Sequence, residues 1–148
     1  LAFDLVEVYF KIVHSRLPLL IPTSFLRLQL SSNSGTEKPL HPALVATVIA
    51  WGSKFSEHQL LTADRSTHGG QGHLSKTLID RARDLAEALK VHRVPNADHV
   101  VIALLIETLQ SRCIYLWSLS HELLLKHITL GFLGFWLTAA TRHLLELR

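Results

Sequence analysis

The first seventeen residues place their polar positions at the period of an α-helix. Asp4, Glu7, Lys11 and His14 recur at steps of three and four residues, so they share one stripe of a helix predicted over 5–17. The opposite stripe carries the apolar positions Leu5, Val6, Tyr9, Ile12 and Val13. Pro18 ends this helix because proline lacks the backbone donor that a further turn requires.

A Pro-bounded corner follows over 17–25. Pro22 precedes Thr23 and Ser24, either of which can cap a second short helix. That helix carries Phe25, Leu26 and Leu28. The segment therefore predicts a helix, a tight corner and another helix.

A longer helical pattern begins after a polar linker at 31–39. Pro42 suits the first turn of a helix that runs to about Phe55. Gly52, in the last turns of that helix, permits a neighbour to pack closely. The segment 57–72 predicts a second loop, and its glycine run at 69–72 predicts a flexible hinge.

The second half combines an amphipathic helix with an apolar one. The helix predicted over 74–91 has one apolar side, formed by Leu78, Ala82, Leu85 and Leu89. Asn96 or Asp98 can cap the next helix. No polar residue occurs over 100–106, and a helix that is apolar all round is a buried one.

Length and composition fit one domain. A chain of 148 residues, 48% of them hydrophobic, can bury a core. Because no stretch alternates with period two for long enough to require a strand, we predict an all-α fold over 1–148, an irregular helical domain of about six to eight helices. The chain opens on Leu1, lacks methionine and stops inside a helical pattern. We therefore expect a fragment, the N-terminal portion of a larger helical region.

The charge pattern argues against a nucleic-acid surface. The formal net charge is +3 with neutral histidines, and acids and bases are interspersed. At helix-neighbour spacing the sequence carries Asp80, Arg81, Arg83, Asp84, Glu87 and Lys90. Such mixing predicts a solvated, ion-paired face.

Candidate chemistry is sparse. His58, His68 and His73 lie in or beside one loop and could gather on a metal, although loop histidines are more often solvated. His121 and His127 are six residues apart, about 240° around a helix at 100° per residue, so they cannot chelate one ion. We predict no catalytic, cofactor-binding, metal or DNA-binding residue in this chain, and no enzyme.

The single cysteine narrows the alternatives further. Cys113 excludes an internal disulfide and a zinc cluster within these residues. It has no adjacent base in the sequence, and no Gly-x-Ser-x-Gly elbow occurs, so nucleophilic catalysis has little support.

Five short blocks follow one another along the chain. They are Tyr9-Phe10 with Val13-His14, Leu17-Pro18 and Thr23-Ser24-Phe25-Leu26; His41-Pro42-Ala43-Leu44 through Ser56; Arg81-Ala82-Arg83-Asp84-Leu85; Val101 to Gln110; and Trp136 with Ala140-Thr141-Arg142, Leu144, Leu145 and Leu147. In this order the blocks resemble the N-terminal part of the middle homology region of fungal zinc-cluster transcription factors.

The resemblance implies a regulatory domain that controls transcription of DNA by RNA polymerase II in the nucleus. Its partners would be other parts of its own chain or other proteins, and the full-length protein could be a dimer. A separate six-cysteine module upstream of Leu1 would bind zinc and DNA. The resemblance therefore implies no cofactor within this chain.

One segment departs from that resemblance. A short connection is expected between Gln110 and Gly131, whereas 111–130 adds aromatic and leucine-rich sequence. We treat 111–130 as a doubtful insertion, either native helix or sequence foreign to the fold. No membrane partner is predicted, because Ile128 to Thr141 is uncharged for only 14 residues and a span needs about 20.

A generic helical protein-interaction scaffold without a transcriptional role is the alternative. A repeat-type scaffold should show self-similarity at a fixed period, and the sequence shows none. A helical ligand pocket should place polar or titratable groups around Leu104 or Trp136, where the sequence shows only apolar neighbours.

Overall fold

The computed structural model describes residues 1–23, 25, 40–69, 72–110 and 134–147. Within these ranges the chain forms six α-helices, one π-helical segment and no β-strand, which confirms the predicted all-α class. The residues group into two compact units, Leu1–Leu89 and Lys90–Arg148. The assignment of 1–148 to one domain stays a prediction, and the doubtful insertion at 111–130 lies outside the described residues.

The first helical segment buries one stripe and exposes the other, as its period predicts. Helix α1 spans Ala2–Val8 and continues as a π-helical segment over Tyr9–Val13. The buried positions are Leu5, Val6, Tyr9 and Val13, and the exposed ones are Asp4, Glu7 and Lys11. The N–H of His14 donates to the carbonyl of Tyr9 at 3.0 Å, a five-residue step that the sequence did not predict.

Helix α2 spans Pro42–Phe55, with the bounds that the sequence predicts. Pro42 occupies its first turn, where a missing N–H costs nothing. The role predicted for Gly52 is confirmed: a Cβ at this position would overlap the backbone carbonyl group of Leu5 in α1. The absence of a side chain at Gly52 therefore sets how closely α1 and α2 pack.

The loop predicted over 57–72 is wrong in part, because Gln59–Thr67 forms a helix, α3. The Nδ1 atom of His58 caps it by accepting a hydrogen bond from the N–H of Leu60 at 3.3 Å. Leu61 is the buried residue of α3, so the helix lacks the apolar stripe that reveals a helix in a sequence.

Polar contacts hold α3 in place. Arg65 donates to the carbonyl of Ser53, at the end of α2, at 2.9 Å. The carboxylate of Asp64 accepts a hydrogen bond from the N–H of Leu74 at 2.8 Å, which satisfies a free donor at the start of the next helix. These two adjacent side chains tie α3 to the helices on both sides of it in sequence.

Helix α4 spans His73–Ala88 and packs against α2. Its buried residues are small: Ser75, Ala82 and Ala86. The predicted apolar side is therefore only partly right, because Leu78 and Leu85 are half-buried and Leu89 is exposed. Small residues let the helices approach closely, and the hydroxyl of Ser75 donates to the carbonyl of Ser53 at 3.0 Å.

The second unit contains two helices that pack together, α5 over Ala97–Gln110 and α6 over Phe135–Glu146. Asn96 caps α5, as predicted, because its side-chain oxygen accepts a hydrogen bond from the N–H of Asp98 at 3.0 Å. The apolar run of α5 is mostly buried, at Val100, Ile102, Ala103, Leu105 and Ile106. Helix α6 buries Trp136, Ala139, Ala140 and His143.

Membrane crossing finds no support in the described ranges. None of their helices combines enough length with enough apolar character to cross a bilayer.

Tyr9→Phe is expected to remove a pH dependence of stability at high pH. Burial raises the pKa of Tyr9 to about 12, above an unfolded value of about 10. The unfolded chain therefore loses this proton first, and the free energy of unfolding falls as pH rises from about 10 to 12. Relative to Tyr9→Phe, the wild type should lose about 1 kcal/mol by pH 11 and about 2 kcal/mol by pH 12, measured by urea unfolding at each pH.

Neutral pH provides the control for this comparison. The hydroxyl of Tyr9 is buried without a hydrogen-bond partner among the described residues, so its removal should be nearly neutral or stabilising. Parallel pH curves for the two proteins would show that Tyr9 is accessible to water.

Candidate functional site

The predicted corner is anchored by an aromatic contact. Phe25 is buried, and its ring lies 5.5 Å from the ring of Phe10 in an edge-to-face arrangement. The N–H of Phe25 donates to the carbonyl of Ile21 at 3.0 Å, so helical conformation begins at Pro22. Thr23 already lies inside this turn, and its predicted capping role is wrong; Ser24, Leu26 and Leu28 lie outside the described residues.

The three histidines considered for a metal site serve other contacts. His58 caps α3 and lies 3.8 Å from the carboxylate of Asp4. His68 and His73 stack on each other, with ring centroids 5.7 Å apart. Within the described ranges no group of three or more His, Cys, Asp or Glu side chains is arranged to hold a metal.

The glycine run at 69–72 and the remaining candidate residues lie only partly within the described residues. Gly69 adopts a positive φ of 62°, which glycine allows without strain. Gly70, Gln71, Cys113, His121 and His127 lie outside the described residues.

The ion-paired face on α4 is confirmed around Arg83. Its guanidinium lies 3.6 Å from the carboxylate of Asp80 and 4.0 Å from that of Glu87. All three side chains are substantially exposed, so each pair is worth little. This face is solvated, as the charge pattern predicts.

A polar cluster lies inside the Lys90–Arg148 unit. Three backbone carbonyl groups of the segment before α5 accept hydrogen bonds from side chains. The pairs are His143 Nε2 to Val91 at 2.8 Å, the Arg142 guanidinium to His92, and His99 Nδ1 to Val94 at 2.7 Å. These three donors and three acceptors are named the carbonyl clasp.

The carbonyl clasp runs from the buried core to the surface. His143 is 0% exposed and His99 is 6% exposed, and their ring centroids are 6.4 Å apart. Val91 is fully buried as well, whereas Val94 is 50% exposed. Solvent therefore screens the hydrogen bond between His143 and Val91 little, and the bond from Arg142 is exposed.

Titratable groups also surround Trp136, which corrects the expectation of purely apolar neighbours. The ring of His92 lies 6.0 Å from that of Trp136, and the backbone N–H of Trp136 donates to the Glu107 carboxylate at 3.2 Å. Gly134 makes room for this contact, because a Cβ there would overlap the same carboxylate. Glu107 thereby satisfies a free donor in the first turn of α6.

The comparisons with known proteins agree with the resemblance seen in the sequence. A family model described as the fungal specific transcription factor domain matches residues 6–128. The chain belongs to this family. No curated protein matches the chain, and no solved structure does.

The fungal specific transcription factor domain is a transcription factor family and not an enzyme family. The match begins inside α1 and includes the corner, α2, α3, α4 and α5. It stops before α6. The block around Trp136, with Ala140-Thr141-Arg142, lies outside the matched residues, so its resemblance to the family stays a prediction.

The carbonyl clasp was missed by the sequence analysis. His143 and Arg142 contact residues 52 and 50 positions away along the chain, so no local spacing reveals them. Arg142 drew attention only through the resemblance of its block. The one local signal is the concentration of titratable side chains before and within α5, at His92, Arg93 and His99.

Proposed function

We propose that this domain regulates transcription by RNA polymerase II in the nucleus, by packing against other parts of its own chain or against a protein partner. The family match over 6–128 is the observation that carries the proposal. The described helices form buried cores, and the fully buried side chain of His143 binds the backbone carbonyl of Val91.

DNA contact belongs to a separate module in this proposal. The chain has a net charge of only +3 and a single cysteine, which suits neither a phosphate-binding face nor a zinc cluster. Zinc and DNA would be bound by a module upstream of Leu1 in the full-length protein, and that protein could be a dimer.

Control by packing requires a free-energy difference between a restrained and a released state. Allosteric couplings are typically about 1–3 kcal/mol, equivalent to about 5-fold to 150-fold in an equilibrium. Loss of the folded domain should therefore alter transcriptional output more than it alters the occupancy of the promoter.

Leu105→Asp in the full-length protein is expected to change reporter output about fivefold or more at nearly constant promoter occupancy. The substitution disrupts the core of α5, where Leu105 is fully buried, and should weaken effector-dependent restraint. The test pairs a reporter assay with a promoter-occupancy measurement in the same cells, both normalised to the level of the protein.

The matched control is Leu145→Asp, because Leu145 is 65% exposed on α6. It should leave both quantities near the wild-type level. Unchanged output for Leu105→Asp, at equal occupancy and equal protein level, would contradict the regulatory function.

A further inference from the structure

The carbonyl clasp holds residues 91–94 against α5 and α6, because backbone hydrogen bonds within this segment form only one turn. Within the segment, the N–H groups of Arg93 and Val94 donate to the carbonyl of Lys90 at 2.9 and 3.3 Å, which makes one turn. The carbonyls of Val91, His92 and Val94 instead depend on donors from α5 and α6. Opening would therefore break these side-chain hydrogen bonds and expose Val91, which is fully buried in the closed segment, without unwinding a helix.

The closed arrangement also carries a backbone cost. Lys90 has a φ of 55°, and among the described residues it is the one non-glycine residue with a positive φ. Lys90 directly follows Leu89, the C-cap of α4, and a residue in the left-handed conformation commonly ends a helix at this position. Glycine adopts this conformation without the cost that a Cβ adds, so the lysine carries a small backbone strain beside the carbonyl clasp.

Two imidazole nitrogens add to that cost. The Nε2 of His143 donates to a carbonyl, so in the neutral ring its Nδ1 is an acceptor. The Nε2 of His92 accepts a hydrogen bond from Arg93 at 3.0 Å, so in the neutral ring its Nδ1 carries the proton. Both Nδ1 atoms are buried and have no hydrogen-bond partner within the described ranges, whereas water would bind them in an open state.

The hydrogen bonds of the carbonyl clasp and the burial of Val91 favour the closed segment. The left-handed conformation of Lys90 and the two Nδ1 atoms that lack a partner among the described residues oppose it. Net hydrogen-bond contributions, left-handed strain and buried unpaired ring nitrogens each fall in the same small range of free energy. A segment balanced in this way can occupy two states, and a modest interaction elsewhere can shift their populations.

We propose that the carbonyl clasp is a two-state latch, which holds 91–94 closed against α5 and α6 and releases it as a unit. We further infer that its release is a step in the response of this regulatory domain, an inference that rests on the proposed function. Arg142 is the accessible part of the latch, because its side chain is 51% exposed and also pairs with Glu146 at 3.7 Å.

Arg142→Gln is expected to raise the amide exchange rates of 91–94 about tenfold, while the amides of 102–106 in α5 keep their wild-type rates. The measurement is hydrogen exchange by mass spectrometry on the whole chain at neutral pH. Lys90→Gly, which removes the left-handed strain, should slow exchange in the same segment about twofold to fivefold.

Arg83→Gln is the matched control. Arg83 is a comparably exposed helical arginine with a glutamate four residues later, and it pairs with the side chains of Asp80 and Glu87. It should leave exchange at 91–94 unchanged. Equal acceleration throughout α5 and α6 in Arg142→Gln, or no acceleration at 91–94, would overturn the latch.

A reporter assay on the full-length protein separates the latch from the proposed function. Arg142→Gln should change output in the same direction as Leu105→Asp, with the melting temperature of the protein nearly unchanged. If Leu105→Asp changes output and Arg142→Gln does not, release of the latch is not part of regulation. If neither variant changes output, the regulatory function itself fails.

Discussion

Leu105→Asp is expected to remove most of the folding free energy of the Lys90–Arg148 unit. Leu105 is 0% exposed, and Ile102 and Leu109 beside it on α5 are buried as well. A carboxylate at this buried position loses its hydration, which costs several kcal/mol. Since a whole domain is stable by only about 5–15 kcal/mol, far-UV circular dichroism should show a large loss of cooperative unfolding.

Three further variants make this prediction specific. Leu105→Ala, which leaves a cavity and no charge, should cost about 2–5 kcal/mol. Leu145→Asp makes the same chemical change at an exposed position of α6 and should cost less than about 0.5 kcal/mol, as should Glu87→Gln on the ion-paired face. Similar losses for Leu105→Asp and Leu145→Asp would show that the burial of α5 is misassigned.

Local signals in the sequence predicted helix positions well where they existed. Pro42 marks the start of α2 because its fixed φ and missing N–H suit the first turn of a helix. Asn96 marks the start of α5 because its side chain can replace a missing backbone acceptor. Both signals act between neighbouring residues, so the sequence alone reveals them.

Helix α3 escaped prediction because distant partners stabilise it. Its polar residues Asp64 and Arg65 contact Leu74 and Ser53, which lie 10 and 12 positions away along the chain. The segment itself offers one buried leucine, Leu61, so the hydrophobic period is absent. Periodicity finds helices that bury a stripe and overlooks those fastened by polar side chains.

Burial of histidines was equally invisible in the sequence. A search for hydrophobic periodicity treats His143 as a polar residue and places it at the surface. In the structure His143 is fully buried and binds the carbonyl of Val91. The family resemblance is confirmed by the match over 6–128 without this cluster. The family was therefore recognisable from ordered blocks of sequence, whereas the carbonyl clasp required the three-dimensional contacts of α5 and α6.

Gly52→Ala is expected to destabilise the Leu1–Leu89 unit by about 2 kcal/mol, opposite to the usual effect of this substitution in a helix. Alanine has the higher helix propensity by about 1 kcal/mol. At this position, however, the added Cβ would overlap the carbonyl carbon and oxygen of Leu5. These are backbone atoms that no rotamer change can move, so α1 must shift from α2, and overpacking of this kind typically costs about 1–3 kcal/mol or more.

Gly72→Ala provides the matched control for urea unfolding of the same unit. The nearest atom to a Cβ there is Cγ of the Arg65 side chain, at 3.3 Å, and a flexible side chain can give way. Its cost should stay below about 1 kcal/mol. If Gly52→Ala proved as stable as the wild type or more so, α1 would not lie against α2 at this distance. The close contact between Leu5 and the second sequence block, which contains Gly52, would then be wrong.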